Sequence, residues 1–550
     1  MDCETNVDSI RVLDEQIIEY ERTVIKLKRT RNSLLNVFKL PPEVLGNVFR
    51  WNVIRKGDFG GLDEGSHNFL GVCNHWFEVA SRTPELWSSW GNTPKDWARW
   101  CHHSRTALLD LVLSWDWEED DDDNECYLDN DLCDAINHRA TEDTIQRVHL
   151  KAEVPVLIDI VVAELTAKGE GLRSNGMESL VLWNLDSASP VDVSDFLAHY
   201  RFPKLQRLEL TNCKISSWDH LTSRTSILTT LKLDFYEHHD IPNPSHILTP
   251  TPTTSQLFSI LASNPTLQRV ALLGRAIPND GGGESSRVQL HHLKELRLGG
   301  YFQHVLKLIN QLDHPRNMDS LSLTLRDCDI VDISRTIGPY LRDHLQRRDR
   351  HRGGLNLLVS SGNRLLAPRV TFHAGDARGV DFSAPSLAEI NTSVKVDVMF
   401  SEVPSRDVLE TTALDLTTYA PREEVIHFRM YKLTARGDTY TQFPNLKALS
   451  FGDMYLHAAF PNQILIGEGK ISPSLEHIFL EDIYVNDAGW SPLVNFLVHR
   501  VSSGSRLDTL VIVRSAHMCS DVMESIRDMV REFRMEDQDR RDRSRLKCCT

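Results

Sequence analysis

The chain has 550 residues, of which 41% are hydrophobic and 25% are charged, as is usual for a globular protein. Its formal net charge of −16 would repel a nucleic-acid backbone, so we expect no nucleic acid among its partners. Because it contains no run of about 18 apolar residues, we also expect no membrane-spanning helix. Ten cysteines without a regular framework, and a polar N-terminus, predict a cytoplasmic or nuclear location.

The first segment, residues 1–38, predicts a long helix. Its apolar residues alternate at spacings of three and four, as in a coiled coil, and Pro41 and Pro42 predict its end. The heptad positions are filled by Ile10, Leu13, Ile17, Tyr20, Val24, Leu27, Arg31, Leu34 and Phe38. The apolar side chains of such a stripe need to be shielded from water, either by the rest of this chain or by a second copy of it. We favour packing within the chain, because Arg31 weakens the seam as a coiled coil.

Residues 39–90 predict three short helices. Pro42 suits the first turn of the first helix, and Thr83 is predicted to cap the third, which begins at Pro84. The apolar residues at helical spacing are Val44, Leu45, Val48 and Phe49 in the first helix, Phe69, Leu70, Val72, Cys73, Trp76, Phe77 and Ala80 in the second, and Leu86 and Trp87 in the third. A unit of about 50 residues has little interior, so some of these side chains should face a partner.

Residues 91–107 are expected to form a linker, and residues 108–535 repeat a strand-like segment of the form L-x-x-L-x-L. Its copies and near-copies lie at residues 109–113, 145–150, 177–182, 205–210, 228–233, 267–272, 293–298, 318–323, 446–451, 475–480 and 507–512. Helical segments at 193–199, 257–262 and 494–499 separate several of them, which predicts right-handed crossovers and a parallel sheet. Residues 340–440 repeat poorly, so their register is not predicted, and residues 536–550 are expected to be a charged tail.

The positions between the leucines of these segments, for example Glu209 and Arg297, are expected to face outward because side chains alternate along a strand. They are of mixed sign and predict no class of ligand. The fold class predicted for the whole chain is α+β: a long helix and a three-helix unit, followed by an irregular α/β solenoid of degenerate leucine-rich repeats.

Residues 40–87 resemble the F-box family, and with the repeats that follow them the chain resembles the F-box proteins of mushroom-type fungi. The residues that carry the match are Leu40, Pro41, Pro42, Val44, Leu45, Val48, Phe49, Val72, Trp76, Leu86 and Trp87. The resemblance implies that these residues bind the adaptor subunit of an SCF-type ubiquitin ligase, and through it a cullin, while the repeats bind a protein substrate. Two features depart from the family pattern: the usual Asp-Leu-Leu at the start of the second helix is missing, with Asp63, Glu64 and Gly65 near that position instead, and Gly46 lies inside the first helix.

No motif predicts a catalytic or metal site. Residues 467–470 are similar to part of a phosphate-binding loop, but its first Gly and its final Ser or Thr are missing. Cys126, Cys133 and His138 lie in or beside an acidic stretch without a second Cys pair, which argues against zinc. We therefore expect no enzymatic activity, no cofactor and no metal. The alternative function is an interaction scaffold of the same fold that acts outside a ligase.

Overall fold

The computed structural model describes part of the chain, in the following residues. They are residues 2–54, 64–90, 102–104, 107–115, 145–168, 176–186, 188–199, 202–219, 221, 227–235, 251–280, 287–313, 318–328, 330–347, 355–364, 367–376, 392–399, 406–433, 442–459, 474–485, 489–515 and 518–536. The group formed by Cys126, Cys133 and His138, the loop at 467–470, most of the predicted linker and almost all of the predicted tail lie outside them.

The described chain mixes helices and strands, which confirms the predicted α+β class in its broad form. The α-helices are α1 (Asp2–Ser33), α2 (Pro42–Ile54), α3 (Asn74–Ser81), α4 (Pro155–Lys168), α5 (Ser194–His199), α6 (Thr254–Ser263), α7 (Phe302–Gln311), α8 (Ile330–Arg347), α9 (Arg406–Thr417), α10 (Leu456–Ala459), α11 (Ser491–Ser502) and α12 (Ser520–Met529). Three short 3₁₀ helices cover Asn36–Lys39, Glu64–Gly71 and Pro84–Leu86. None of the described helices combines the length and the apolar character needed to cross a membrane.

The strands are two to ten residues long, and eleven of them overlap the repeated segments. They are β1 (Ser89–Trp90), β2 (Leu109–Trp115), β3 (Ile145–Ala152), β4 (Ser179–Asn184), β5 (Val191–Asp192), β6 (Arg207–Thr211), β7 (Cys213–Lys214), β8 (Thr230–Phe235), β9 (Arg269–Gly274), β10 (Val288–Gln289), β11 (Glu295–Tyr301), β12 (Leu312–Asp313), β13 (Ser320–Arg326), β14 (Leu355–Arg364), β15 (Ala367–Asp376), β16 (Thr392–Met399), β17 (Val425–Tyr431), β18 (Ala448–Tyr455), β19 (His477–Tyr484), β20 (Leu507–Val513) and β21 (Val530–Glu536). Each of the eleven predicted segments overlaps one of these strands.

The chain divides into two compact units, residues 1–205 and residues 206–550. This division falls inside the range 108–535 that the repeats mark in the sequence. In the first unit, β1, β2, β3 and β4 pair in that order and all in parallel. The helical segment therefore runs directly into the sheet, because β1 begins two residues after Trp87 and pairs with the first repeat strand.

Helix α1 ends earlier than the heptad pattern predicts. It stops at Ser33, whose hydroxyl donates a hydrogen bond to the Thr30 carbonyl at 2.7 Å. The chain then turns into the 3₁₀ helix at Asn36–Lys39 and becomes extended at Leu40, as a residue before proline prefers. Leu34 and Phe38 therefore do not continue the helical stripe, and the helix predicted to reach residue 38 is too long at its C-terminal end.

In the part of the chain that the structure describes, the apolar stripe of α1 is exposed to solvent, so the prediction that it packs within the chain is wrong. The exposed fractions of its side chains are Ile10 59%, Leu13 57%, Ile17 53%, Tyr20 71%, Val24 47% and Leu27 64%. The helix contacts the 3₁₀ helix Asn36–Lys39 that follows it in the chain. A long helix with so little tertiary packing has little to stabilise it as a lone element.

The second predicted helix is broken in two. The 3₁₀ helix Glu64–Gly71 ends before Val72, and α3 begins at Asn74 with Cys73 as its N-cap. The Cys73 sulfur accepts a hydrogen bond from the Trp76 backbone N–H at 3.5 Å, which provides the cap. Thr83 occupies the predicted N-cap position, directly before the helix that begins at Pro84. Its side chain makes no capping hydrogen bond, because its hydroxyl donates instead to the Val79 carbonyl at 2.8 Å.

In the second unit the strand order is β6, β8, β9, β11, β13, β16, β15, β14, β17, β18, β19, β20 and β21. Among these strands, β15 runs antiparallel to both of its neighbours, and the other pairings are parallel. The β14–β15 hairpin and β16 fill the part of the sequence where no repeat could be recognised. Their order in the sheet differs from their order in the chain, so a pattern based on successive parallel strands cannot predict them.

The apolar positions of the repeats form continuous buried rows across neighbouring strands. The two rows in the first five strands of this unit are Leu208, Leu231, Val270, Leu296 and Leu321, and Leu210, Leu233, Leu272, Leu298 and Leu323. Every side chain in both rows is at least 98% buried. The predicted alternation therefore holds for the core side of the sheet.

On the side of the sheet opposite the leucine rows, a side chain of β6, the first strand of this unit, is less exposed than predicted. Glu209 is 7% exposed and its Oε1 lies 2.7 Å from Nε of Arg207, so the expectation that Glu209 faces solvent is wrong. Arg297 is exposed, as predicted. Arg207 pairs with Glu209 on the same strand and can shield its carboxylate from water, whereas the Arg297 side chain is exposed.

Substitutions in the leucine rows should separate core from surface. Leu208→Ala and Leu296→Ala should each lower the free energy of unfolding by about 2–5 kcal/mol, because each leaves a cavity between neighbouring strands. Arg297→Ala is the matched control one residue along β11, and it should stay within about 0.5 kcal/mol of the wild type. Chemical denaturation of the three variants measures this. Equal losses for Leu296→Ala and Arg297→Ala would contradict the alternation.

Candidate functional site

The eleven residues that resemble the adaptor-binding set fall into different environments. Four of them are core: Leu45, Phe49, Leu86 and Trp87 are each at most 2% exposed. They form one apolar cluster with Phe69, Val79 and Ala80. The Phe49 ring stacks on Phe69 at a centroid distance of 4.5 Å and lies 5.1 Å from the Trp76 ring. These side chains hold the helical segment together and cannot contact a partner without unfolding it.

Trp87 is fixed in this core by its polar edge as well as by its ring. Its indole Nε1–H donates to the Ala80 carbonyl at 2.8 Å, and its ring lies 4.5 Å from the His103 ring. A buried tryptophan usually needs such a partner for its N–H. Gly46 in α2 serves the same core, because a Cβ at that position would lie 3.0 Å from the Thr83 hydroxyl oxygen. The departure at Gly46 therefore permits close packing between α2 and the segment after α3.

The remaining residues of the set lie at the surface. Val44 is 43% exposed, Val48 52% and Val72 53%, while Pro41 and Pro42 are exposed and Leu40 and Trp76 are half-buried. Trp51, which is absent from the sequence-predicted set, is 61% exposed. Its spacing of three residues after Val48 and seven after Val44 is the signal that could have identified it.

Val44, Val48 and Trp51 share one face of α2, and we call them the helix-face patch. Residues at i, i+4 and i+7 lie above one another on a helix, so their side chains form a single apolar strip. Moving the exposed part of these side chains out of water stabilises a complex by about 25 cal/mol for each Å² of apolar surface that is buried. An exposed apolar strip can serve as a docking surface for another protein.

A second cluster lies at the C-terminal ends of four neighbouring strands in the other unit, β17 to β20. Residues Lys432, Asp453, Asp482 and Arg514 all adopt the left-handed conformation there, with φ between 46° and 57°. Asn212, which follows β6, has the same conformation. These strand ends therefore share one backbone conformation while the residue type varies.

The side chains of these strand ends form a charged network, which we call the strand-end cluster. Arg514 pairs with Glu481 and, at 3.0 Å, with Asp482. Lys432 Nζ lies 2.8 Å from an Asp453 carboxylate oxygen. The Tyr455 and Tyr484 rings, about half exposed, lie 5.8 Å apart beside these pairs.

Tyr431 joins this network to the sheet. Its ring covers Gly452, where a Cβ would collide with it, so glycine is needed at this position. Burial and the carboxylates of Glu481, Asp482 and Asp453 raise the pKa of Tyr431 to about 12. Its hydroxyl is therefore neutral at physiological pH.

Two basic side chains of β17, the strand that directly precedes Lys432 of this cluster, are buried. His427 Nε2 lies 2.7 Å from the Ser450 hydroxyl oxygen, and burial, with Arg429 and His477 nearby, lowers the pKa of His427 well below its ordinary value. Arg429 is 3% exposed, and burial lowers the pKa of its guanidinium, partly offset by the charge of Glu481. No sequence signal marks these two residues, because they lie in the stretch 340–440 where no repeat register is predicted.

Within the described residues, no group of three or more His, Cys, Asp and Glu side chains is arranged to hold a metal ion. The scan against protein-family models matches none of them, and no curated protein matches this chain. The two surfaces are therefore interpreted from their own chemistry.

The buried His427 should make stability depend on pH. Its folded pKa is depressed, so it is neutral in the folded state and is protonated more readily after unfolding. The stability that this neutral state provides is present above the unfolded pKa of about 6.5 and is lost as the pH falls, by up to about 1.4 kcal/mol per pH unit.

Denaturation of wild type and His427→Asn between pH 7.5 and pH 5 measures this effect. The wild type should lose stability more steeply than His427→Asn below about pH 6.5. His499→Asn, at an exposed position of α11, is the control and should follow the wild type. Parallel curves for wild type and His427→Asn would show that His427 does not titrate in this way.

Proposed function

We propose that this protein is the substrate-recognition subunit of an SCF-type cullin–RING ubiquitin ligase. In this proposal the helical segment at residues 39–90 acts as an F-box that binds the adaptor, and the adaptor connects it to a cullin. The strands that follow act as a leucine-rich-repeat-like solenoid that binds a protein substrate. The chemistry of ubiquitin transfer belongs to other subunits, and this chain contributes proximity and orientation.

The observation that carries the proposal is the division of α2 into two faces. One face places Leu45 and Phe49 in a closed core, and the other leaves Val44 and Val48 in water together with Trp51. A helix that only stabilised its own unit would have polar residues on its outer face. The exposed apolar strip lies within the part of the sequence that resembles the F-box, after Pro41 and Pro42.

The substrate half of the proposal is supported by the sheet of the second unit. Its parallel strands present Arg297 and other polar side chains on the side opposite the leucine rows, and the strand-end cluster adds paired charges and two exposed tyrosines. Tyrosine and arginine are enriched where proteins recognise one another. The charges are of both signs and nearly balanced, so they favour a protein partner over a polyanion.

The alternative is an interaction scaffold of the same fold that acts outside a ligase. Such a scaffold would use the same polar strand surface, but it would have no need for the helix-face patch to bind an adaptor. Affinity purification from cells separates the two functions. A ligase receptor brings down the adaptor and the cullin together, and loses both when the patch is altered.

Substitutions in the helix-face patch test adaptor binding directly. Val48→Asp combined with Trp51→Ala should weaken binding to purified adaptor about 30-fold or more, because central apolar anchors often contribute about 2 kcal/mol or more. Val156→Asp, at a 56% exposed position of α4, is the matched control and should bind like the wild type. Isothermal titration calorimetry gives the dissociation constants.

Phe49→Ala is unsuitable for this test even though Phe49 belongs to the sequence-predicted set. It would remove a ring stacked in the core and should lower stability by about 3–5 kcal/mol, so lost binding could reflect unfolding. Circular dichroism should therefore accompany the titrations to show that the patch variant keeps its fold. Unchanged adaptor affinity in a folded Val48→Asp, Trp51→Ala variant would overturn the F-box assignment.

A further inference from the structure

Helix α1 carries an apolar seam that the described chain leaves in water. Positions a and d of its heptads, from Ile10 to Leu27, are between 47% and 71% exposed. Apolar side chains in this arrangement are stable when a second helix covers them, because each then fits into a hole between four residues of its partner. We propose that the seam is covered by the same seam of a second copy of this chain, in a parallel two-stranded coiled coil. This inference does not depend on the ligase assignment.

The residue types of the seam favour two parallel strands. The a positions are Ile10, Ile17 and Val24, which are all β-branched. The d positions are Leu13, Tyr20 and Leu27. β-Branched residues at a together with leucine at d favour a parallel dimer over trimers and tetramers. In a parallel pair, each of these residues meets its own counterpart, so all six layers are apolar.

The residues beside the seam also distinguish the two helix directions. In a parallel pair, Gln16 of one copy lies near Glu21 of the other, and Thr23 lies near Lys28, so no like charges meet. In the antiparallel pair that aligns the same six layers, Asp14 of each copy would lie near Glu21 of the other. Two such acidic contacts would repel, which favours the parallel direction.

The ends of the seam limit its length. Thr23 turns its hydroxyl back to the Glu19 carbonyl at 3.0 Å, so it adds neither charge nor bulk beside the seam. Arg31 occupies the next a position and bonds to the Asn32 side chain at 2.9 Å. Two copies of Arg31 would meet there in a parallel pair, so the paired region ends near Leu27. Because the paired region spans only three heptads, we expect the dimer to form in a concentration-dependent way.

The same helix provides a matched control. Ile18 and Ile25 occupy b positions, next in sequence to Ile17 and adjacent to Val24, and they are 47% and 49% exposed. They have the same chemistry and a similar exposure to the seam residues but lie outside the seam. Substitutions at the two pairs therefore change the charge and helix propensity of α1 equally and differ only in their position around the helix.

Sedimentation equilibrium of the full chain tests the proposal, across a concentration series up to about 100 µM. The wild type should approach twice the mass of one chain. Ile17→Asp with Val24→Asp should remain at the mass of one chain, whereas Ile18→Asp with Ile25→Asp should associate like the wild type. A wild type that stays at the mass of one chain, or a seam variant that still doubles, would overturn the proposal.

The direction of the helices is tested by a cross-link. In the parallel arrangement the Leu13 layer pairs each residue with its own counterpart, so Leu13→Cys should form a disulfide-linked dimer on mild oxidation, beyond any background seen in the wild type. In the antiparallel arrangement residue 13 would face Val24 of the other copy, and Leu13→Cys would give only the wild-type background. That result, in a chain that still dimerises, would contradict the parallel direction.

Discussion

The structure depends on the burial of alternate residues along short parallel strands. Because side chains on a strand point to opposite sides in turn, one row of leucines from each repeat must fit against the row of the next strand. This matching sets the register, and it explains why Leu208 and Leu296 are fully buried although they lie 88 residues apart and in different repeats. The other side of each strand is then free to vary, and at the strand ends it provides Arg514, Glu481 and the two neighbouring tyrosines.

The helical segment uses a similar division on a smaller scale. A cluster of seven buried apolar residues packs against one side of α2, and Trp87, a member of it, donates a hydrogen bond to the backbone of α3. Val44 and Val48 of the helix-face patch lie outside this core and are 43% and 52% exposed. Their exposure has a free-energy cost in water that a partner would remove, and this is the physical reason for proposing that an adaptor binds that face.

The sequence allowed the repeat strands to be predicted because their period of two recurs at eleven places, and each prediction overlaps an observed strand. The prediction failed between β13 and β17, where an antiparallel strand enters the sheet and the chain order differs from the spatial order. It failed again at Val72 and Cys73, because apolar spacing alone does not show that a cysteine will cap a new helix. It also could not tell buried from exposed anchors in α2, since Leu45 and Val44 differ only in how the following helices pack. The partner of the α1 seam could not be predicted for a similar reason. A heptad pattern shows that the apolar side chains must be shielded from water, but it does not show whether this chain or another one shields them.

The measurement that decides most directly how α2 is used is hydrogen–deuterium exchange of the protein with and without purified adaptor. Amide exchange should slow in residues 44–54 and around Val72 when the adaptor binds, because a docked partner excludes water from the exposed face of α2 and suppresses its local opening. The strands that carry Arg514 and Tyr484 should exchange as before. Protection that appears only in those strands, or no protection in α2 at saturating adaptor, would contradict the role proposed for the helix-face patch.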